Sequence, residues 1–292
     1  MRTTGKIQVT DMTGKICLVT GSNSGIGLVT ARELARAGAR LVMLCRNAER
    51  GEAARASIVA ATGSTSVELL LGDLSSLESV AAFAETFRSK YERLDVLVNN
   101  AGLSLPVRHL TDDGVEMMFA INHLGHFALT CHLAESLKAA ERARVVNVAS
   151  MGHWAGRIDM DNLQCEKSFN AVGQYCNTKL ANILFARALA ERVSQFGISS
   201  YSLHPGVIRS GFAQDEAGWF GHLVKLGGPF MSSPEKGAQT SLYLATASGI
   251  ESDSGSYFAN KKRAMCSPAA KSQAKAEALW KESERLSGLS WG

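Results

Sequence analysis

The chain has 292 residues, 46% of them hydrophobic and 20% charged, which is the profile of a globular protein large enough to bury a core without disulfides. Its formal net charge is only +4, and we read its single basic triplet, Lys261-Lys262-Arg263, as a solvated loop, which excludes the concentrated basic face of a nucleic-acid binder. No run approaches the roughly 18 apolar residues of a membrane span, and residues 1–15 lack the apolar core of a secretion signal, so we expect a cytoplasmic protein.

Short apolar runs alternate with helical patterns from one end of the chain to the other. The apolar runs predict strands over residues 16–19, 41–44, 67–71, 94–98, 145–148 and 198–203. Apolar positions at helical spacing predict helices over residues 26–37, 48–61, 77–91, 122–138 and 175–196. A final helix is expected to open with Ser267 as its N-cap and Pro268 at its first position, and to end near Leu286. This order predicts an α/β fold, a single doubly wound domain over residues 1–292 with a parallel sheet covered by helices on both faces.

Cysteine and histidine give no sign of a metal site. His123 and His126 lie on the predicted helix 122–138 without an evident carboxylate partner, so we expect them to pack inside the fold. The cysteines form no CxxC pair, and we read them as reduced thiols. They are Cys17, Cys45, Cys131, Cys165, Cys176 and Cys266.

A glycine-rich turn, Thr20-Gly21-Ser22-Asn23-Ser24-Gly25-Ile26-Gly27, lies between the first strand and the first helix. At this junction a doubly wound fold presents amide N–H groups and the positive end of a helix to a pyrophosphate. Glycine lets the backbone turn tightly and approach the phosphates. Glycines also serve bare turns, but at a strand–helix junction they predict a nucleotide site. The predicted contacts are Gly21, Asn23, Ser24, Gly25, Ile26 and Gly27.

The second strand ends in Leu44-Cys45-Arg46-Asn47, where the choice between the two nicotinamide dinucleotides is usually made. Arg46 lies 19 residues beyond Gly27, and an arginine here suits the 2′-phosphate of NADP, where NAD sites usually carry an acid. The alternative is a surface arginine at a strand end. Asp73 is placed to accept from an adenine amino group, to sit at a helix start, or both. Asn47 and Leu74 complete this predicted group of cofactor contacts.

Six motifs then occur in one order along the chain. They are Gly21-x3-Gly25-x-Gly27, Asn99-Asn100-Ala101-Gly102, Asn122, Ser150, Tyr175-x3-Lys179 and Pro205-Gly206. In this order, over roughly residues 12–260, the chain resembles the short-chain dehydrogenase/reductase family. The resemblance implies a Rossmann-type fold, an NADP(H) cofactor and hydride transfer between that cofactor and a carbonyl or alcohol.

The chemistry explains the residue types at the centre of the pattern. Reducing a carbonyl needs a hydride on carbon and a proton on oxygen, and oxidation needs the reverse. Tyr175 and Lys179 are four residues apart on a predicted helix and share one face. A nearby ammonium and a positive nicotinamide ring both favour the tyrosine phenolate, and lowering its pKa by ~3 units corresponds to about 4 kcal/mol. Ser150, at the end of its strand, can hold the substrate oxygen as charge develops.

Further roles are implied by the resemblance alone. Lys179 would also bind the nicotinamide ribose, and Asn122 would anchor a water in the proton relay. Asn100, Ala101 and Gly102 would line the adenosine side of the cofactor. The backbone of Pro205, Gly206, Val207 and Ile208 would fix the nicotinamide amide, while Ser210 would reach the pyrophosphate.

Ser150 and Tyr175 are 25 residues apart, which is longer than in most of the family. Several segments resemble the retinol dehydrogenase-like branch. They are Ile121-Asn122-His123-Leu124-Gly125-His126-Phe127, Gly156-Arg157-Ile158, Asn162-Leu163-Gln164, Tyr175-Cys176-x2-Lys179-Leu180-Ala181-Asn182 and Gly255-Ser256-Tyr257-Phe258. Membrane-bound retinoid enzymes carry an N-terminal anchor, and none is read here, which speaks against retinoids more than against the chemistry.

Residues 209–235 are expected to form an apolar lid over the substrate. The residues that motivate it are Trp219, Phe220, Leu223, Val224, Leu226, Phe230 and Met231. A lid of this kind suits a bulky lipophilic carbonyl or alcohol. The alternative is a segment buried in a dimer contact, which leaves a homodimer open.

The sequence therefore predicts an NADP(H)-dependent oxidoreductase acting on an apolar small molecule of retinal, steroid or long-chain aldehyde or ketone type. One alternative is a ketoreductase of a biosynthetic pathway that acts on a polyketide-like or other secondary metabolite. A more remote alternative is a non-catalytic NADP(H)-binding regulator, since a fold can outlast its activity. The complete set of Asn122, Ser150, Tyr175 and Lys179 speaks against that regulator.

Overall fold

The computed structural model describes residues 9–206 and 233–291. Its strands are Ile16–Thr20 (β1), Arg40–Cys45 (β2), Val67–Leu71 (β3), Val96–Asn99 (β4), Arg144–Val148 (β5), Ser199–His204 (β6), Tyr257–Ala259 (β7) and Lys262–Arg263 (β8). They form one sheet in the order β3-β2-β1-β4-β5-β6-β7-β8, parallel up to β7, with β8 antiparallel to it. Because the order reverses between β1 and β4, a crevice opens there at the carboxyl ends of the strands.

Helices cover both faces of this sheet. They are Gly25–Arg36 (α1), Ala48–Thr62 (α2), Leu77–Lys90 (α3), Met117–Phe119 (α4), Gly125–His132 (α5), Ala134–Lys138 (α6), Ala171–Val193 (α7), Pro234–Thr246 (α8) and Gln273–Ser287 (α9). Successive residues of β1 point to opposite faces, so Ile16 and Leu18 pack with α3, α5, α7 and α9. Cys17 and Val19 pack with α1, α2 and α8. The predicted three-layer α/β architecture is confirmed.

The prediction of one continuous helix over residues 122–138 is wrong. The chain instead forms α4, a π-helical segment over Ala120–Leu124, then α5 and α6, with Leu133 between the last two. Within the π segment, the Asn122 side chain accepts from Leu103 N at 2.8 Å and donates to Leu103 O at 2.9 Å. At Gly125 a Cβ would lie 2.4 Å from Leu74 O, so only glycine allows this approach to the turn after β3. Contacts across the fold therefore decide the local helix geometry.

The start of the last helix also differs from the prediction. Ser267 accepts from Ala270 N at 3.3 Å and precedes a short 3₁₀ turn, Ala269–Lys271, whose N-cap is Pro268. The helix α9 begins only at Gln273, with Ser272 as its N-cap. Ser272, five residues after Ser267, therefore serves as the N-cap of this helix.

Besides α4, three elements were not predicted. Helix α8 begins inside the expected lid, at Pro234, and β7 and β8 extend the sheet beyond β6. Lys262 and Arg263, read as loop, form β8 and remain exposed. Helix α7 starts at Ala171, four residues before the predicted start, because Asn170 caps it by accepting from Gly173 N at 2.8 Å.

No described helix combines the length and the apolar character needed to cross a membrane.

Candidate active site

The glycine-rich turn forms a narrow cradle above β1. Gly21 and Gly25 have φ values of 62° and 55°, which side chains rarely tolerate. A Cβ on Gly27 would lie 2.3 Å from Gly21 O and 2.4 Å from Asn100 Nδ2. Ser24 is the N-cap of α1, but its side chain makes no cap hydrogen bond. The N–H groups of the first helical turn therefore do not donate to Ser24. This donor set fits the pyrophosphate of a dinucleotide.

The turn is held against the loop after β4. Asn100 N and Ala101 N both donate to Thr20 Oγ1 at 2.9 Å, and Asn100 Nδ2 donates to Thr20 O at 2.8 Å. Sequence reasoning placed Asn100, Ala101 and Gly102 at the cofactor but assigned no role to Thr20, although its position directly before the first glycine was visible. The hydroxyl of Thr20 therefore sets the relative position of two predicted cofactor loops.

Arg46 and Asp73 meet at the outer end of this cradle. Arg46 Nη1 lies 3.9 Å from Asp73 Oδ2, and the arginine side chain is 68% exposed. Asp73 Oδ1 accepts from Ser75 N at 2.9 Å and from Ser75 Oγ at 2.7 Å, forming a turn just before α3. Asn47 is committed to capping α2, and Leu74 is buried. Of these residues, Arg46 has the donors that a further phosphate would need.

Ser150 and Tyr175 face each other across the cleft. Ser150 follows β5 and accepts from Gly152 N at 3.1 Å, and its hydroxyl also hydrogen-bonds the Tyr175 hydroxyl. Burial raises the pKa of Tyr175 to about 12, although the bond to Ser150 opposes the shift. The polypeptide by itself thus holds Tyr175 as a neutral phenol, whereas the expected lowering of its pKa invoked Lys179 and the positive nicotinamide ring together.

Lys179 lies beneath this pair, with only 3% of its surface exposed. Its Nζ is 5.6 Å from the centroid of the Tyr175 ring and donates to Val148 O at 3.3 Å. Asn182 Nδ2 donates to the same carbonyl at 3.1 Å. Burial lowers the pKa of Lys179 to about 8, so the ammonium form still dominates at neutral pH. Desolvation is the largest cause of both shifts, since it raises the pKa of Tyr175 and lowers the pKa of Lys179.

Asn122 is buried beside Lys179, and both N–H donors of its side chain are used. Besides its two bonds to Leu103, Nδ2 donates to Thr178 Oγ1 at 3.0 Å. An amide has two N–H donors, and both are committed here. A role of Asn122 in a proton relay would therefore rest on an acceptor, either Oδ1 or the main-chain carbonyl. Gly102 lines the same space, since a Cβ there would lie 3.2 Å from both Asn122 Oδ1 and Lys179 Nζ.

Two histidines that were not predicted as site residues hold the segment after β5. His153 Nδ1 bonds Ser150 O at 2.7 Å, while Ser267 N donates to His153 Nε2 at 3.2 Å. His204 Nδ1 accepts from Met151 N at 3.3 Å. Their positions in the sequence could have indicated this role, since His153 is three residues after Ser150 and His204 directly precedes Pro205. They fix the backbone of Ser150 from two sides.

The long insertion between Ser150 and Tyr175 is anchored by buried polar groups. Glu116 N donates to Gln164 Oε1, and Gln174 Nε2 donates to Glu116 Oε2, both at 2.7 Å. Four large apolar side chains, three of them within the insertion, are open to solvent. These are Met151, Trp154, Met160 and Met265.

Pro205 and Gly206 follow β6 at the same edge of the sheet. Val207, Ile208 and Ser210 lie outside the described residues, as do residues 209–232 of the predicted lid with Trp219 and Phe220. Within the described part of the chain, no group of three His, Cys, Asp or Glu residues is arranged to hold a metal. All six cysteines are buried and free.

A family model described as short chain dehydrogenase matches residues 15–219. The chain belongs to the short-chain dehydrogenase family. It is 44% identical to retinol dehydrogenase 12 of Homo sapiens over 278 residues, which cover 95% of this chain and 88% of that relative.

Solved structures share the fold of this short-chain dehydrogenase. An uncharacterised protein from Mycobacterium paratuberculosis is 32% identical, with a TM-score of 0.80 over 98% of this chain and 97% of that chain. L-sorbose reductase from Gluconobacter frateurii, complexed with NADPH and L-sorbose, is 24% identical, with a TM-score of 0.69 over 86% of this chain and 96% of that chain. The resemblance to the retinol dehydrogenase-like branch is confirmed, and the chain is an oxidoreductase with a nicotinamide cofactor.

Proposed function

We propose that this short-chain dehydrogenase reduces an apolar aldehyde or ketone with NADPH, Tyr175 being the proton donor. The observation that carries the proposal is the placement of the Tyr175 hydroxyl, which is hydrogen-bonded to Ser150 on a ring whose centroid lies 5.6 Å from Lys179 Nζ. A phenol whose pKa is raised to about 12 is protonated at every physiological pH, which is the state that reduction consumes.

Ser150, Tyr175 and Lys179 have separate roles in protonating the carbonyl oxygen. A bound nicotinamide supplies the hydride. Ser150 donates a hydrogen bond to the carbonyl oxygen, which orients it toward Tyr175. Tyr175 transfers its proton to that oxygen, and Lys179, charged below its pKa of about 8, stabilises the phenolate that remains. The buried Asn122 amide holds Leu103 and Thr178 in place beside Lys179.

Arg46 supports NADPH over NADH. Its side chain is 68% exposed, and its only described carboxylate neighbour, Asp73, lies 3.9 Å away with one oxygen committed to Ser75. The guanidinium therefore keeps donors for the 2′-phosphate. A charge-assisted hydrogen bond of this kind contributes about 1.5–3 kcal/mol.

The surface around Ser150 supports an apolar substrate. Trp154 is 52% exposed, and its ring lies 5.5 Å from that of His153, which bonds Ser150 O. Met151 follows Ser150 directly, and Met265 stands two residues before Ser267, the other partner of His153. The name retinol dehydrogenase 12 belongs to a relative with a lipophilic substrate, in agreement with this surface.

A series of straight-chain aldehydes assayed with NADPH tests the proposal. Each methylene buried against Trp154 should raise kcat/KM about fourfold, from roughly 0.8 kcal/mol, until the pocket is full. Trp154→Ala should flatten the series. Leu71→Ala is the matched control, because Leu71 is also 52% exposed but lies on the edge strand β3.

Other outcomes would favour other functions. NADPH binding without turnover on any aldehyde or ketone would favour the regulator. Faster reduction of a polar keto substrate than of long-chain aldehydes would favour the biosynthetic ketoreductase. The cytoplasmic location and the homodimer stay predictions.

A further inference from the structure

His126 lies between the nucleotide turn and the catalytic candidates, and the proposed reaction does not use it. Its side chain is 2% exposed. Nε2 is 2.9 Å from Thr20 Oγ1, and Nδ1 is 3.2 Å from the main-chain oxygen of Asn122. One ring thus contacts Thr20, which orders two predicted cofactor loops, and the main chain of Asn122, whose side chain lies beside Lys179.

The surrounding hydrogen bonds determine which nitrogen of His126 carries the proton. Thr20 Oγ1 already accepts from Asn100 N and Ala101 N, which occupies both of its lone pairs. Its one proton must be donated, and His126 Nε2 at 2.9 Å is a better acceptor than Val98 O at 3.4 Å. Nε2 is therefore the acceptor, and Nδ1–H donates to Asn122 O.

The neutral ring is also favoured by its surroundings. Burial lowers the pKa of His126 to about 4, and the positive charge of Lys179 acts in the same direction, while the bond to Asn122 opposes both. A second proton on Nε2 would face a Thr20 oxygen that has no free lone pair. The single tautomer follows from the hydrogen-bond geometry, and the burial agrees with it.

We propose that His126 is a positioning residue that couples the cofactor cradle to the catalytic asparagine through its two ring nitrogens. The inference rests on the proposed function. On one side, the bond from the Thr20 hydroxyl keeps that hydroxyl turned toward Asn100 and Ala101. On the other, Nδ1–H holds the Asn122 carbonyl within the π segment, whose side chain positions the residues around Lys179.

His123 provides a matched control within the same π segment. It is also buried, and burial lowers its pKa to about 3. Its Nε2, however, lies 2.8 Å from Ser283 Oγ on α9 and not from Thr20. Substituting either histidine therefore removes packing and a buried hydrogen bond. Only a substitution of His126 also removes the proposed coupling.

Two substitutions separate the two bonds of His126. Asparagine can place its amide near the Nδ1 position and donate to Asn122 O, but it does not reach Thr20. Glutamine reaches the Nε2 position and can accept from Thr20, but it places no donor at Nδ1. Each removes one hydrogen bond worth about 1 kcal/mol, which corresponds to roughly five- to tenfold in an equilibrium or rate constant.

The experiment measures the NADPH dissociation constant by fluorescence, kcat with a long-chain aldehyde, and the melting temperature. We expect His126→Asn to raise the NADPH Kd about five- to tenfold with a smaller loss in kcat, and His126→Gln to show the reverse split. His123→Asn should lower the melting temperature without separating Kd from kcat. In a Thr20→Val background, His126→Asn should raise the Kd no further, since the shared bond is already lost.

Equal changes of Kd and kcat in the Asn and Gln variants, or a His123→Asn variant that matches them, would overturn the coupling. If neither His126 variant folds, Thr20→Val decides the nucleotide side, and a wild-type Kd in that variant overturns the proposal. A wild-type enzyme that binds NADPH but reduces no carbonyl contradicts the proposed function instead. The Kd comparison between His126→Asn and His123→Asn still tests the coupling in that case.

Discussion

The ionisation of Lys179 should be visible in the pH dependence of cofactor capture. Burial lowers the pKa of this lysine to about 8. The ammonium is the form that would bind the nicotinamide ribose and stabilise a phenolate, and it is lost as the pH rises through that value. We therefore expect kcat/KM for NADPH, at saturating aldehyde, to be level below pH 8 and to fall at higher pH.

The magnitude follows from a single ionisation. At one unit above its pKa a group retains roughly a tenth of its protonated form, so kcat/KM should fall about tenfold for each further pH unit. The phenol of Tyr175, with a pKa raised to about 12, stays protonated over the same range and does not contribute. Because kcat/KM reports ionisations of the free enzyme, the midpoint belongs to the polypeptide described above.

The assay is NADPH oxidation followed between pH 6 and 10 in buffers of constant ionic strength. Lys179→Arg is the matched variant, because a guanidinium stays charged throughout and should abolish the fall near pH 8 even at a lower absolute rate. A wild-type profile that is flat to pH 10, or one that rises with pH, would refute the reasoning. The same fall in Lys179→Arg would assign the midpoint to another group.

Three further predictions concern the neighbouring residues. Tyr175→Phe should abolish carbonyl reduction while NADPH still binds, because only the proton-donating hydroxyl is lost; a variant that keeps more than a few per cent of the wild-type rate would remove Tyr175 from the mechanism. Arg46→Asp should shift the ratio of NADPH to NADH affinity by at least about tenfold, and equal wild-type Kd values for both cofactors would contradict that role. Gly27→Ala should weaken NADPH binding and lower the melting temperature together, since its Cβ would press on Gly21 O and Asn100 Nδ2. Unchanged NADPH binding, measured by fluorescence titration, would show that the cradle does not need the close contact of Gly27 with Gly21 O and Asn100 Nδ2.

The local parts of this protein could be read from its sequence. The alternation of apolar runs and helical spacing predicted the first six strands, because the side-chain period is set by the backbone of each element. The positions of Gly21 and Gly25 predicted a tight turn, because positive φ is a property of single residues. The spacing of Tyr175 and Lys179 predicted a shared helix face, and the fold and the family are confirmed by the structure and the comparisons.

Only the tertiary structure decided the electrostatics and the long-range bonds. The direction of the Tyr175 pKa shift depends on how completely the folded chain removes water from the phenol, and burial is its largest cause. The π-helical segment at Asn122 is hydrogen-bonded to Leu103, and the tautomer of His126 depends on Thr20, 106 residues away. Ser267 reaches His153 across 114 residues. Such contacts have no local period or composition, because they exist only once the chain has closed on itself and excluded solvent from both partners.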